Sequence, residues 1–297
     1  MVGQIDTLSG FEFAVAKARA YGELLKFRLS FLVAFSCGFG FVLASPQVNW
    51  TNLTMLFAGG FLLSGASVII NQIIEKDLDG LMIRTMNRPL PTGRVSVNEA
   101  VVEAVLCMAV GVSILLLYSN VLTTSLAILS MILYGFVYTP LKRVGPVAVF
   151  VGAIPGALPP LLGWTAATGS ISHEALIIFG IQFIWQFPHF WAIAWVADDD
   201  YKRAGFKLLP SGGKKDMNTA IQIMIYTMFL IPLGLLPATF GITGINSAIV
   251  ATFCGVIFFA LTFSLMKSGD RKSALKIMFG SFLYLPIVQI AYLLDKV

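Results

Sequence analysis

The residues best suited to chemistry in this sequence are oxygen donors. Asn71, Glu75 and Asp79 recur every four residues, a spacing that draws three side chains into one stripe on a helix. Asp77 falls on another face if that helix continues. A second group, Asp198, Asp199 and Asp200, follows far downstream. Carboxylates side by side near a low-dielectric boundary repel one another unless a cation neutralises them. With no His or Cys among them, the donors are hard oxygens, which suit Mg2+ bridged to the phosphates of a substrate. Between the two groups stand Arg84, Arg88, Lys142 and Arg143, cations fit for an anionic leaving group. Arginine forks grip phosphate oxygens bidentately, and lysine adds a mobile point charge. Ser211-Gly-Gly-Lys-Lys lacks the spacing and the terminal Ser or Thr of a Walker phosphate loop, so the phosphates are not read as a nucleotide's.

The elements that must carry these groups are membrane helices. Of the 297 residues 57% are hydrophobic and 12% charged, and the mean hydropathy is +0.85, too little polar surface for a soluble domain of this length. Charge-free windows of 46 residues (29–74), 38 (104–141) and 50 (217–266) each hold a hairpin, because one crossing needs about 20 apolar residues. Turn residues divide the chain into nine predicted spans at 27–45, 53–74, 100–118, 122–140, 146–168, 174–197, 218–240, 246–266 and 273–294. The expected fold is an all-α polytopic bundle. Residues 1–26 form an amino-terminal segment and 27–297 a single nine-helix domain.

With that segment in the cytoplasm, 19 of the 20 Lys and Arg lie on the cytoplasmic side and only Lys296 lies opposite. This bias sets the orientation, puts the carboxyl terminus in the periplasm and accounts for the net charge of +5 without nucleic acid. Asp6, Glu12 and Glu23 make the first residues unlike a signal peptide or a mitochondrial presequence, which favours a bacterial inner membrane. Cys37, Cys107 and Cys254 lie in apolar stretches with no Cys-x-x-Cys pair and read as packing residues. Two acid groups separated by four spans return to the same membrane face, so spans one to four and five to eight read as parallel halves offering two metal-binding lips to one cavity. His189 sits inside span six, three turns before Asp200 on nearly the same face. An ionisable side chain within a span is a functional candidate.

In these features the chain resembles the UbiA-type intramembrane prenyltransferases. Asn71-x3-Glu75-x3-Asp79 followed by Arg84-x2-Asn87-Arg88-Pro89-Leu90 is similar to their first acidic motif, with Glu75 where most members carry Asp. The second motif departs from the family, since no acid stands four residues after Asp198, Asp199 or Asp200. Trp185-Gln-Phe-Pro-His189-Phe-Trp-Ala, Asp200-Tyr201 with Ala204-Gly205, Leu209-Pro210, Tyr138-Thr-x-x-Lys142-Arg143 and Gly152-x3-Gly156-x2-Pro159-Pro160-x2-Gly163-Trp164 look like the branch that farnesylates haem.

The resemblance implies two four-helix halves plus one helix, with farnesyl diphosphate and haem b as substrates and Mg2+ as cofactor. Metal ligation is expected from Asn71, Glu75, Asp79, Asp199 and Asp200, and a catalytic role from Asn71, Glu75, Asp79, Asp200 and Lys142. Arg28, Arg84, Asn87, Arg88, Tyr138, Arg143, His189, Tyr201 and Lys202 are expected to contact substrate, His189 by orienting the porphyrin or ligating its iron. The lipid bilayer is a partner, and a haem A synthase or cytochrome oxidase assembly proteins are expected beside it. Two alternatives stay open: a prenyltransferase for an aromatic quinone precursor, and a secondary transporter.

Overall fold

The computed structural model describes residues 10–297; residues 1–9, Asp6 among them, lie outside the described residues. Among the described residues nine helices are long and apolar enough to cross a membrane. They are α2 (Phe27–Ala44), α3 (Trp50–Ile74), α4 (Val97–Tyr118), α5 (Val121–Leu141), α6 (Val147–Thr168), α7 (His173–Val196), α8 (Met217–Thr239), α9 (Ile245–Ser268) and α10 (Arg271–Leu294). The nine expected spans are all present, and α3 and α4 begin three residues earlier than predicted. Polar caps cause both extensions. Asn49 accepts from the Asn52 amide to start α3, and Ser96 and Glu99 form a capping box at α4.

The amino-terminal segment contains an element that the sequence reading left out, α1 (Gly10–Leu24). Lys17 Nζ and the Tyr21 hydroxyl lie 2.7 and 3.0 Å from Glu99 Oε1, and Arg94 pairs with Glu23 at 2.7 Å. Buried Ala20 and Leu24 pack with Ile69, Leu90, Val95, Ala100 and Ala104. α1 is therefore fastened to α3, α4 and the connection between them.

Helices α2–α5 and α6–α9 form two successive groups of four, joined along α2 and α6, while α10 packs on α7 and α9 and touches α2. The α2–α6 contact is made by backbone. A Cβ added at Gly40 would lie 2.0 Å from Pro160 O, and one at Gly163 would lie 1.9 Å from Cys37 O. Small residues permit this approach, which replaces the hydrophobic drive that lipid cannot supply. Helix α6 also contains Pro155, Pro159 and Pro160. Pro159 and Pro160 cannot donate to the carbonyls of Pro155 and Gly156 four residues earlier. Ser130 Oγ of α5 donates to Pro155 O (3.3 Å) and Gln182 Nε2 of α7 to Gly156 O (2.8 Å), so neighbouring helices satisfy both.

Gly163→Val should prevent recovery of a monodisperse protein, since two backbones would have to separate. Gly180→Ala, with nothing within 4 Å of the added Cβ, should leave the thermal midpoint unchanged or slightly raised; unfolding scans of the two variants compare them directly.

Candidate active site

Helix α3 stops at Ile74, Glu75 takes φ −94° and ψ 8°, and a one-turn helix continues over Lys76–Asp79. The stripe survives the interruption because the Glu75 amide donates to Asn71 O (3.0 Å) and the Asp79 amide to Glu75 O (2.7 Å). Asn71, Glu75 and Asp79 are 2%, 3% and 1% exposed, so none of the three can rely on bulk water. Asp77 faces outward. Lys142 Nζ lies 2.9 Å from Glu75 Oε1 and donates to Oε2 at 3.1 Å. Arg88 Nη1 donates to Asp79 Oδ2 at 2.7 Å. Asp79 Oδ1 remains buried without a partner, and Glu75 Oε1 has the Lys142 ion pair alone.

The Asn71 amide is oriented by a relay. Its Nδ2 donates to Thr139 Oγ1 (3.0 Å), whose own proton goes to Tyr134 O (2.9 Å). Its carbonyl oxygen is thus left for another partner. Asp79 Oδ1 without a donor, Glu75 Oε1 touched only by Lys142, one amide oxygen and two flanking cations form a set that fits a small hard cation bound with an anionic ligand. Thr139 was not among the expected residues. It follows a π-helical turn, Leu133–Tyr138, an irregularity that hydropathy does not reveal.

Lys26 was likewise read only as a topological charge. It sits between α1 and α2 with φ 45°, a left-handed conformation unusual for lysine. Burial, then the nearby charges of Arg88 and Lys142, push its pKa down to about 7, and Asp79 and Glu75 oppose the shift. It is a third cation-forming group beside the carboxylate pair.

The second acidic group is held by protein partners of its own. Asp200 Oδ1 accepts from the Ile83 amide (3.0 Å) and Oδ2 from the Arg84 amide (3.2 Å), with Arg203 at 3.4 Å. Its lone pairs hold the loop after the first motif. Asp199 is exposed. Among the described residues no three His, Cys, Asp or Glu side chains are grouped to hold a metal ion. In this arrangement Asp200 fastens the loop that carries Arg84. Lys202 pairs with buried Asp198 at 2.8 Å, as does Lys215 at 3.2 Å. Arg84 lies 5.8 Å from the Tyr201 ring at the same loop. Asn87 and Arg143 are exposed, and Arg94 donates to the Asn87 carbonyl.

An apolar cavity of about 630 Å³ runs into the bundle from this end. Its wall includes Ser67 and Val68, one turn from Asn71, and Tyr138, whose ring lies 4.8 Å from Lys142 Nζ. Arg28, Trp185 and His189 also line it. The acids thus stand just past the end of a greasy chamber.

The family model of the UbiA prenyltransferase family matches residues 32–285. The chain belongs to this family. Among its relatives, a protoheme IX farnesyltransferase of Cytophaga hutchinsonii is 52% identical over 280 residues, covering 94% of this chain and 98% of that protein. A solved digeranylgeranylglyceryl phosphate synthase superposes with a TM-score of 0.78 at 19% identity, covering 94% of this chain and 98% of the other. A UbiA homologue from Archaeoglobus fulgidus, bound to GPP and Mg2+, superposes with a TM-score of 0.64 at 18% identity, covering 92% and 99%. The nine-helix UbiA arrangement expected from the sequence is the one observed.

If Thr139 orients Asn71, Thr139→Val should raise the Mg2+ concentration needed for half-maximal turnover several-fold, whereas Thr139→Ser should leave it near the parent value. Metal titration of the prenyl transfer rate distinguishes the two, and equal requirements in all three proteins would refute the relay.

Proposed function

We propose that this chain transfers the farnesyl group of farnesyl diphosphate to a vinyl carbon of haem b and adds water, giving haem O and diphosphate. The observation that carries the proposal is the buried Glu75–Asp79 pair, with Asp79 Oδ1 short of a donor, at the end of an apolar cavity. The names of relatives up to 52% identical support the choice of substrates.

Mg2+ is the cofactor in this reading, held by Asn71, Glu75 and Asp79, and its charge would offset that of the diphosphate. Lys142 and Arg88, each already against one carboxylate, are placed to exchange that contact for diphosphate oxygens. Cleavage of the C1–O bond leaves negative charge on the departing diphosphate, where preorganised cations act most strongly. Lys26 and Arg84 add to the same field, and Arg28 extends it along the cavity wall. The C1 cation is allylic and reacts with any water present. Tyr138, Trp185 and the aliphatic lining keep it dry until the haem vinyl supplies electrons. Water then captures the cation formed on the porphyrin side and loses a proton.

The lining also limits the acceptor. His189 and Trp185 offer a nitrogen donor and a flat ring to a porphyrin, whereas a small aromatic acid has no need of either. The protein is a multi-pass membrane protein; we place it in a bacterial inner membrane, with residues 1–26 and the site in the cytoplasmic half and the carboxyl terminus in the periplasm. The charge bias of the connections supports this orientation.

Asp79→Asn keeps the side-chain shape and removes a charge. It should reach the membrane normally and lose turnover by roughly 100-fold or more, the scale of one preorganised charged contact. The assay measures diphosphate release and farnesylated haem in detergent, with 4-hydroxybenzoate present as a competing acceptor. Full turnover of the variant at limiting Mg2+, or prenylated benzoate without prenylated haem from the parent protein, would overturn the proposal.

A further inference from the structure

A second polar constellation lies in the cavity wall on α7 and α10, apart from the carboxylates. His189 Nδ1 is 2.8 Å from Ser281 Oγ, and Ser281 Oγ donates to Met278 O at 2.6 Å. A hydroxyl has one proton. Since that proton is committed to the Met278 carbonyl, the contact with His189 must use the imidazole's own proton, and Nδ1–H donates to Ser281. The other ring nitrogen, Nε2, then carries a lone pair, and it has no hydrogen-bond partner among the described residues.

The ring plane is fixed as tightly as the tautomer. Trp185 stacks on the imidazole at 4.4 Å with an interplanar angle of 21°, while Phe190 and Phe282 meet it edge-on at 5.4 and 5.1 Å. Trp185 Nε1 donates to Ser281 O at 3.1 Å, so one residue of α10 holds both members of the stack. His189, Trp185, Phe190 and Phe282 all line the cavity. A histidine serving only to pack would find partners for both nitrogens, because a bare polar atom in an apolar wall is costly. An imidazole whose distal nitrogen is tied down and whose near nitrogen is left open has the arrangement of a metal ligand with its orienting partner. Imidazole nitrogen suits iron better than Mg2+, which separates this position from the oxygen donors near Glu75.

We infer that Ser281 is a positioning residue, holding His189 as the Nδ1–H tautomer so that Nε2 binds the iron of the haem acceptor as an axial ligand. The inference rests on the haem reading above. Ligation confines the porphyrin to a plane across the Fe–N bond, so the vinyl edge is presented by the ring's tether and not by diffusion within the chamber.

The experiment titrates ferric haem b into the detergent-solubilised full chain and records the Soret band and the electron paramagnetic resonance spectrum. The parent protein should give a histidine-ligated signature. His189→Gly should lose it, and added imidazole should restore it. Ser281→Ala should weaken haem binding about tenfold, the scale found when an orienting partner of a metal ligand is removed, with a shifted spectrum. Ser281→Thr, which keeps the hydroxyl, should recover the parent spectrum and affinity. A His189→Gly spectrum identical to the parent's would overturn ligation. A Ser281→Ala protein matching the parent in both spectrum and affinity would overturn the positioning role. If the parent makes farnesylated haem while its spectrum ignores His189, the inference alone falls; if the parent neither binds nor prenylates haem, the haem reading falls with it.

Discussion

Two carboxylates four residues apart are buried at one end of the bundle, and the surrounding structure is arranged to make that tolerable. Neither Glu75 nor Asp79 is hydrated by bulk solvent. Each is held by one cation from another part of the chain, Lys142 from the end of α5 and Arg88 from the connection before α4. Removing one member of a buried pair costs about 3–5 kcal/mol, because the other is left charged and alone. The arrangement also remains incomplete, with Asp79 Oδ1 unmatched. A site that is fully satisfied has little to offer a charged ligand; this one keeps a carboxylate oxygen, Asp79 Oδ1, open to a cation.

A similar accounting explains the polar side chains deep in the membrane. Pro159 and Pro160 in α6 would otherwise leave two carbonyls bare in hydrocarbon, and α5 and α7 supply the missing donors. Gln289 of α10 donates to Gln182 Oε1 and to Ser36 Oγ of α2, which extends the network to two further helices. These amides are structural fastenings that also line the cavity. His189 differs from them in keeping one nitrogen unused.

The nine spans were legible because hydropathy and charge bias act over whole helices, and the Asn71–Glu75–Asp79 stripe because a period of four has a direct geometric meaning. Its neighbours were harder to read. Spacing alone cannot tell that the loop at Ile83 and Arg84 folds back to present two amides to Asp200. Nor does it tell that Asp198 is buried and takes Lys202 as a partner. Thr139 was hidden by the π-helical turn before it, which adds a residue and rotates everything downstream by about 100° relative to an unbroken helix. Lys26 was hidden by its backbone, because nothing in Leu25-Lys26-Phe27 announces a left-handed lysine. Ser281 lies 92 residues from His189, beyond the reach of any local pattern.

The seam where Gly40 meets Pro160 and Gly163 meets Cys37 has a mechanical consequence. Two helices in backbone contact cannot slide or part without losing nearly all of what holds them, so this wall acts as a keel for the molecule. A flat macrocycle and a long isoprenoid must nevertheless enter and leave. The compliance for that traffic has to come from walls lined by long, rotatable side chains, such as the flank of Phe190, Phe282 and Leu285.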